Sequence, residues 1–235
     1  MLEELKQRVC TANLALADHG LVVLTWGNVS GLDAGSKKMV IKPSGLSYSE
    51  MGPEDMVVLD EKENVIEGSR RPSSDASAHT ALYREFKNIG GVAHTHSPYA
   101  TMFAQALMEI PCLGTTHADY FKGPVPLTRF LKEDEVREDY EAMTGKVIAE
   151  RFEKLDPKEI PAVLVAGHGP FTWGAGPEEA VENSLALEQV ARMAWCSLQL
   201  NPKLSSIPDC ILDKHYRRKH GSQAYYGQFK RRKNE

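Results

Sequence analysis

No stretch of this 235-residue sequence approaches the roughly 20 consecutive apolar residues of a membrane-spanning helix, so a membrane protein is not expected. Cysteine is scarce. Cys10, Cys112, Cys196 and Cys210 are scattered and form no C-x-x-C pair. That argues against a disulfide framework or a thiolate zinc cluster and fits a reducing compartment. An excess of positive charge is missing too. The formal net charge is −4, which predicts no nucleic-acid-binding surface. The basic stretch Lys230-Arg231-Arg232-Lys233 reads as a solvated end, and residues 229–235 are expected to be a disordered tail. No P-loop, internal repeat, low-complexity segment or linker is present. The chain opens on an amphipathic helix rather than a signal peptide, which predicts a cytoplasmic protein.

What is there suits one large globular domain spanning residues 1–235, with 42% apolar and 26% charged residues. Leu2, Leu5, Val9, Ala12 and Leu16 recur at helical spacing and predict a helix over 2–18. Further helices are expected at 76–86, 98–107, 133–155 and 177–200. Short apolar runs predict strands at 21–24, 39–41, 56–59, 64–67, 91–96 and 162–166. The order gives an α/β fold with a central, mostly antiparallel or mixed β-sheet flanked by helices.

The chemistry starts with His94-Thr95-His96, at the end of the run Gly90-Gly91-Val92-Ala93. In a strand, residues i and i+2 share a face, so both imidazoles project together. Such a pair fits a polar strand end, or two-thirds of a divalent metal site. His168, between two glycines after Val163-Leu164-Val165-Ala166, fits the third ligand or a polar turn. Asp75, behind Ser73-Ser74, fits a site carboxylate or a helix-capping one. Gly114-Thr115-Thr116-His117-Ala118-Asp119-Tyr120 packs hydroxyl, imidazole and carboxylate groups into one loop. Asn28 in a glycine-containing turn, Lys42-Pro43-Ser44-Gly45 and Ser73-Ser74 offer a cation, hydroxyls and backbone donors for an anion such as phosphate. The polar and aromatic stretch from Leu212 to Gln228 suggests buried or intersubunit use of the paired tyrosines Tyr225 and Tyr226.

Taken together, W-G-N-V-S at 26–30, I-K-P-S-G at 41–45, R-P-S-S-D at 71–75 and H-T-H-S at 94–97 resemble the class II aldolase/epimerase family. So do G-T-T-H-A-D-Y-F at 114–121, G-H-G-P-F at 167–171 and H-Y-R-R-K-H-G-x-x-A-Y-Y-G-Q at 215–228. The resemblance is to the epimerase branch and runs, in order, from residue 1 to about 228. It implies a class II aldolase-like fold and a metal site of His94, His96 and His168, with Zn2+ expected and Mn2+ or another divalent ion as the alternative. It also implies phosphate binding by Asn28, Lys42, Ser44, Gly45, Ser73 and Ser74. Asp119 and Tyr226 would be the acid/base pair, Tyr226 coming from a neighbouring subunit of a homotetramer. Asp75, Thr115 and Glu141 would line the metal and substrate region, with His215 and Arg218 reaching in across the interface.

The implied reaction interconverts L-ribulose 5-phosphate and D-xylulose 5-phosphate in pentose phosphate metabolism such as arabinose catabolism. C4 of a ketose carries no acidic proton, so inversion there needs the C3–C4 bond to break and re-form, with metal-assisted stabilisation of the enediolate. Aldolases of the same family resemble the chain at the metal and phosphate residues, but the fuculose enzyme has glutamate where Asp75 stands. A non-catalytic scaffold would be expected to lose metal ligands. One departure stands out. Ala76-Ser77-Ala78-His79 replaces a frequent T-P-T-H, and the loss of two hydroxyls is expected to bear on the phosphate pocket.

Overall fold

The computed structural model describes residues 2–221 and 224–226. Helix α1 (Leu2–Asp18) buries the expected stripe of Leu5, Val9, Ala12 and Leu16. It closes with two backbone bonds, Gly20 N–H to the Ala17 carbonyl and Leu21 N–H to the Leu16 carbonyl, both 2.9 Å. This is the Schellman pattern, with buried Leu21 packing back on Leu16. The strand expected at 21–24 does not form. Strand β1 (Asn28–Asp33) already has β2 (Lys38–Ile41) on one edge and the strand Gly91–His94 on the other. Neither side of β1 is left for residues 21–24 to pair with, and the chain turns there, with Leu24 at φ 56°.

Strands β3 (Val57–Leu59) and β4 (Val65–Glu67), helix α2 (Ala76–Glu85), β5 (Gly91–His94) and α3 (Pro98–Gln105) follow. Then come the single turn α4 (Thr115–Ala118), α5 (Glu133–Arg151), β6 (Ala162–Leu164), β7 (Pro170–Gly174), α6 (Pro177–Leu200) and α7 (Asp209–His220). The seven strands form one sheet in the order β4-β3-β2-β1-β5-β7-β6, and every neighbouring pair is antiparallel. The expected mostly antiparallel or mixed sheet is therefore an antiparallel one.

Alternation along the strands sorts the side chains between two faces. Val92, Phe171 and Trp173 pack with Leu82 of α2, with Phe86 just after it, and with Ile148 of α5. Val29 and Ala93 face the other way, onto Leu16 of α1 and Val181 of α6. Full burial of a ring such as Phe171, which is 0% exposed, contributes about 1.5–3 kcal/mol. The same alternation turns Asn28, Ser30 and His94 toward α2.

Several expected elements are shorter. β5 ends at His94, and β6 ends at Leu164 because Val165 N–H turns to the Gly169 carbonyl at 2.9 Å. The helix expected over 133–155 ends at Arg151 and is broken at Asp139, whose φ/ψ are −164° and 97°. β7 and α7 were not expected: Pro170 opens the first, and charge dominates the second. Ala76 and Ala78 lie in the core, against Met39 and Ile41 and against Leu82 and Ile148 respectively, so the missing hydroxyls bear on packing rather than on the phosphate pocket.

Candidate active site

Three backbone segments converge where β1 and β5 meet the turn between β6 and β7. In register, Asn28 pairs with His94 and His94 with Phe171. The close approach at the mouth needs Gly27, which sits at φ 73°. A Cβ there would lie 2.7 Å from Val22 Cγ1 and 2.8 Å from the His94 carbonyl oxygen. His94 stacks on Phe171 with centroids 4.2 Å apart and a 22° interplanar angle. His96 lies just beyond the strand end, yet its ring still meets that of His94 at 4.9 Å. His168, on the β6–β7 turn, closes the triangle at 4.8 Å from His94 and 5.0 Å from His96.

One ring nitrogen from each histidine lies within 4.8 Å of the others, a set that could hold a metal ion. The second nitrogens test that fit. His94 Nδ1 is 2.9 Å from the Pro170 carbonyl oxygen, which can only accept, so Nδ1 carries the proton and Nε2 a lone pair. That Nε2 faces His96 Nε2 at 3.1 Å. Burial and the neighbouring imidazoles push His168 down to about 4 and lower His96, which keeps both rings neutral, the state a ligand requires. The donor set fits a divalent cation.

Beside the histidines lies a cavity of about 390 Å3. Its far wall is two segments tied by backbone bonds, Ser73 N–H to the Lys42 carbonyl at 3.0 Å and Ser44 N–H to the Arg71 carbonyl at 2.9 Å. Lys42, Ser44 and Gly45 come from one segment, Ser73 and Ser74 from the other, which leads into the N-terminus of α2. Lys42 is 2% exposed, and desolvation lowers its ammonium pKa against the pull of Asp75. Its Nζ lies 3.4 Å from the Thr25 and Pro43 carbonyl oxygens and 4.9 Å from the centroid of the Tyr48 ring, and an incoming anion would be a stronger partner than any of these.

Asn28 opens β1 rather than standing in a turn. Its Nδ2 donates to Ser73 Oγ at 3.0 Å and to Asp75 Oδ2 at 2.6 Å, while Oδ1 is buried without a partner among the described residues. Asp75 occupies the N-cap position of α2, but its carboxylate makes no capping bond and points to Asn28 instead. Burial raises its pKa, and the potentials of His94 and His79 with the Asn28 bond outweigh that, leaving it lowered. Glu141 lines the same cavity, as do Thr25, Trp26 and Tyr140, which the sequence reading did not single out. The tryptophan stood in the W-G-N-V-S motif. Nothing local marked the tyrosine.

The remaining expected site residues gather elsewhere. Asp119, at the end of α4, accepts two bonds from Arg218, 2.8 Å from Nε and 2.6 Å from Nη2, and lies 3.2 Å from His215 Nδ1. His220 Nε2 holds the Asp119 carbonyl oxygen at 2.8 Å. The Arg218 guanidinium lies over the Tyr226 ring, 4.1 Å from its centroid. Thr115 is exposed at the start of α4. His117 is buried and bonded to the Gly123 carbonyl at 2.7 Å, so it holds its own loop together. Asp119, His215, Arg218, Tyr226 and Thr115 do not line the histidine cavity of their own chain. His215 and Arg218, expected to reach across an interface, pair first with Asp119 of the same chain.

An antiparallel sheet with three histidines gathered at its β5 end and the β6–β7 turn, beside a cleft lined by a lysine and serines, defines an α/β protein with a site that could hold a metal ion. The comparisons make that class specific. The family described as the class II aldolase and adducin N-terminal domain matches residues 7–195, and the chain belongs to it. L-ribulose-5-phosphate 4-epimerase UlaF of Salmonella paratyphi B is 52% identical over 227 residues, covering 97% of this chain and all of that one. The protein of the same name from Salmonella typhi matches equally. Among solved structures, an L-fuculose 1-phosphate aldolase superposes with a TM-score of 0.80 at 24% identity, covering 92% of this chain and 95% of that one. The L-fuculose 1-phosphate aldolase of Glaciozyma antarctica gives 0.75 at 18%, over 92% and 81%. At these identities the two structures show a shared fold.

Proposed function

We propose that this chain is an L-ribulose-5-phosphate 4-epimerase, interconverting L-ribulose 5-phosphate and D-xylulose 5-phosphate by breaking and re-forming the C3–C4 bond. The carrying observation is the histidine cluster facing an anion-accepting cavity, in a chain 52% identical to relatives of that name over 97% of its length. His94, His96 and His168 would hold the ion, Zn2+ in this reading with Mn2+ as the alternative, and it would supply Lewis acidity to the ketose oxygens. Asp75 and Glu141 line the same cavity as the three histidines.

Lys42, with Ser44, Gly45, Ser73 and Ser74, holds the substrate phosphate, aided by the N-terminus of α2. The unpartnered Asn28 Oδ1 is left to accept from a substrate hydroxyl. Phosphate anchoring keeps the two-carbon aldehyde fragment in place while it turns its opposite carbonyl face. Its escape would make the protein an aldolase. One face then needs a proton acceptor at the C4 oxygen and the other a donor, the roles assigned to Asp119 and Tyr226.

Because Asp119, Arg218 and Tyr226 are joined to one another and lie outside their own cavity, they act as a unit on the cavity of a neighbouring subunit, with Thr115 and His215 alongside. This reading makes the enzyme a homotetramer with sites between subunits. It is cytoplasmic and needs neither membrane nor nucleic acid. Among the described residues no helix is long and apolar enough to cross a membrane. A coupled assay for D-xylulose 5-phosphate, run before chelation, after it and after Zn2+ restoration, tests the reading. Metal-dependent product is expected. Cleavage with net release of aldehyde, or no turnover by the metal-loaded protein, overturns it.

A further inference from the structure

Two of the three histidines have their outer nitrogens engaged, by partners of different kinds. His94 Nδ1 meets a backbone carbonyl inside the sheet. His168 Nδ1 meets the hydroxyl of Tyr140 at 3.2 Å, from a helix 28 residues earlier in the chain. Tyr140 reaches that point because of the break in α5. Asp139 is extended and its Oδ1 accepts the Ala142 N–H at 3.0 Å, so it works as an N-cap that starts a second helix at Tyr140. An unbroken helix would carry Tyr140 along a different direction.

The segment before the break is anchored to the turn that bears His168. Thr128 N–H donates to the Leu164 carbonyl at 2.9 Å, and Thr128 Oγ1 accepts the Ala166 N–H at 3.1 Å. Phe130 lies against Gly167, where a Cβ would come within 2.7 Å of the ring, so the glycine makes this contact possible. Turn and broken helix thus form one packed unit, with the Tyr140–His168 contact at its cavity edge.

We propose that Tyr140 is a positioning residue for the metal site: its hydroxyl receives the Nδ1–H of His168 and thereby fixes the ring with its Nε2 lone pair turned to the other two histidines. For His94 a backbone carbonyl does this; for His168 the task falls to a side chain on an interrupted helix. The inference rests on the reading of the three histidines as a metal site. Nothing in the residues implied by family resemblance includes Tyr140.

Tyr140→Phe removes the hydroxyl and leaves the ring. Zn2+ affinity, measured by chelator competition, is expected to weaken about 10- to 100-fold, the usual consequence of losing an outer partner of a metal-bound histidine. In the zinc-loaded protein the Nδ1–H proton of His168, observed by long-range 1H–15N NMR, is expected to exchange faster with water. Unchanged affinity and exchange overturn the inference and leave the metal site standing. Weaker binding together with a lower thermal midpoint of the metal-free chain also overturns it, since the role is then one of general packing. A wild-type chain that binds no Zn2+ removes the metal site, and this inference with it.

Discussion

The histidine cavity and the Asp119 cluster are both dense in polar groups, but the fold builds them differently. The first is fixed by the sheet. His94 is held by strand pairing, by a backbone carbonyl and by stacking on a buried phenylalanine, and Asp75 is held by Asn28 on the neighbouring strand. The second is held mainly by side chains, with the Tyr226 N–H donating to the Arg218 carbonyl at 3.1 Å. Helix α7 has no buried residue, and it meets the end of α4 through the Arg218–Asp119 pair, the His220 bond and the Lys219 ammonium over the Tyr120 ring. Rigid backbone carries the three histidines that would hold an ion in the reading above. A terminal helix carries groups that are completed by another subunit in the reading above.

The sharpest way to break this contrast is to remove the sheet-borne site. His94→Ala, or exhaustive chelation of the wild type, should lower epimerisation by roughly 10³-fold or more, since a Lewis acid supplies several kcal/mol to the transition state. Elemental analysis of the variant should find no bound metal. Asp119→Asn comes next, with turnover expected to fall about 10²- to 10⁴-fold, the range for a lost acid/base group. Here the metal content should stay at the wild-type level. Metal loss in Asp119→Asn would show that the two regions are one.

The smallest effect is on stability. Burial pushes the His79 imidazole down to about 3, and burial with two neighbouring imidazoles brings His168 to about 4, both below the ordinary value near 6.5. Between pH 6.5 and 4 the unfolded chain binds protons that the folded chain refuses, so stability falls as pH falls. Each such histidine should contribute about 1.4 kcal/mol per pH unit to that loss. Urea midpoints of the metal-free protein across the window measure the slope, and His168→Gln should flatten it by one histidine's share.

Much of the cavity could be read from local pattern. A period of two places His94 and His96 on one side even though the strand stops at the first of them, and the glycines around His168 mark a tight turn. Lys42 and Ser73 announced themselves by residue type, but only the backbone bonds between their segments put them on one wall. Asp75 showed both possibilities, helix cap and site carboxylate. The Asn28 amide, 47 residues away, takes the carboxylate away from the helix end, so it does not act as a cap. Where local pattern misled, a distant partner had the deciding vote. Residues 21–24 have strand-like composition, but the adjacent strand β1 is paired on both sides, and the helix pattern over 133–155 hides the break at Asp139.

The sequence by itself determined the α/β class, the helix stripes, the three histidines and a lysine and serines of the kind that suit an anion. Each of these follows from spacing along the chain or from the chemistry of a single side chain. Tertiary structure decided the antiparallel order of the sheet, the direction of the Asp75 carboxylate and the engagement of His168 by Tyr140. It also separated the Asp119 cluster from the cavity. These depend on contacts between residues tens of positions apart, whose geometry is set by which strands pair and which faces pack, and no local periodicity records that.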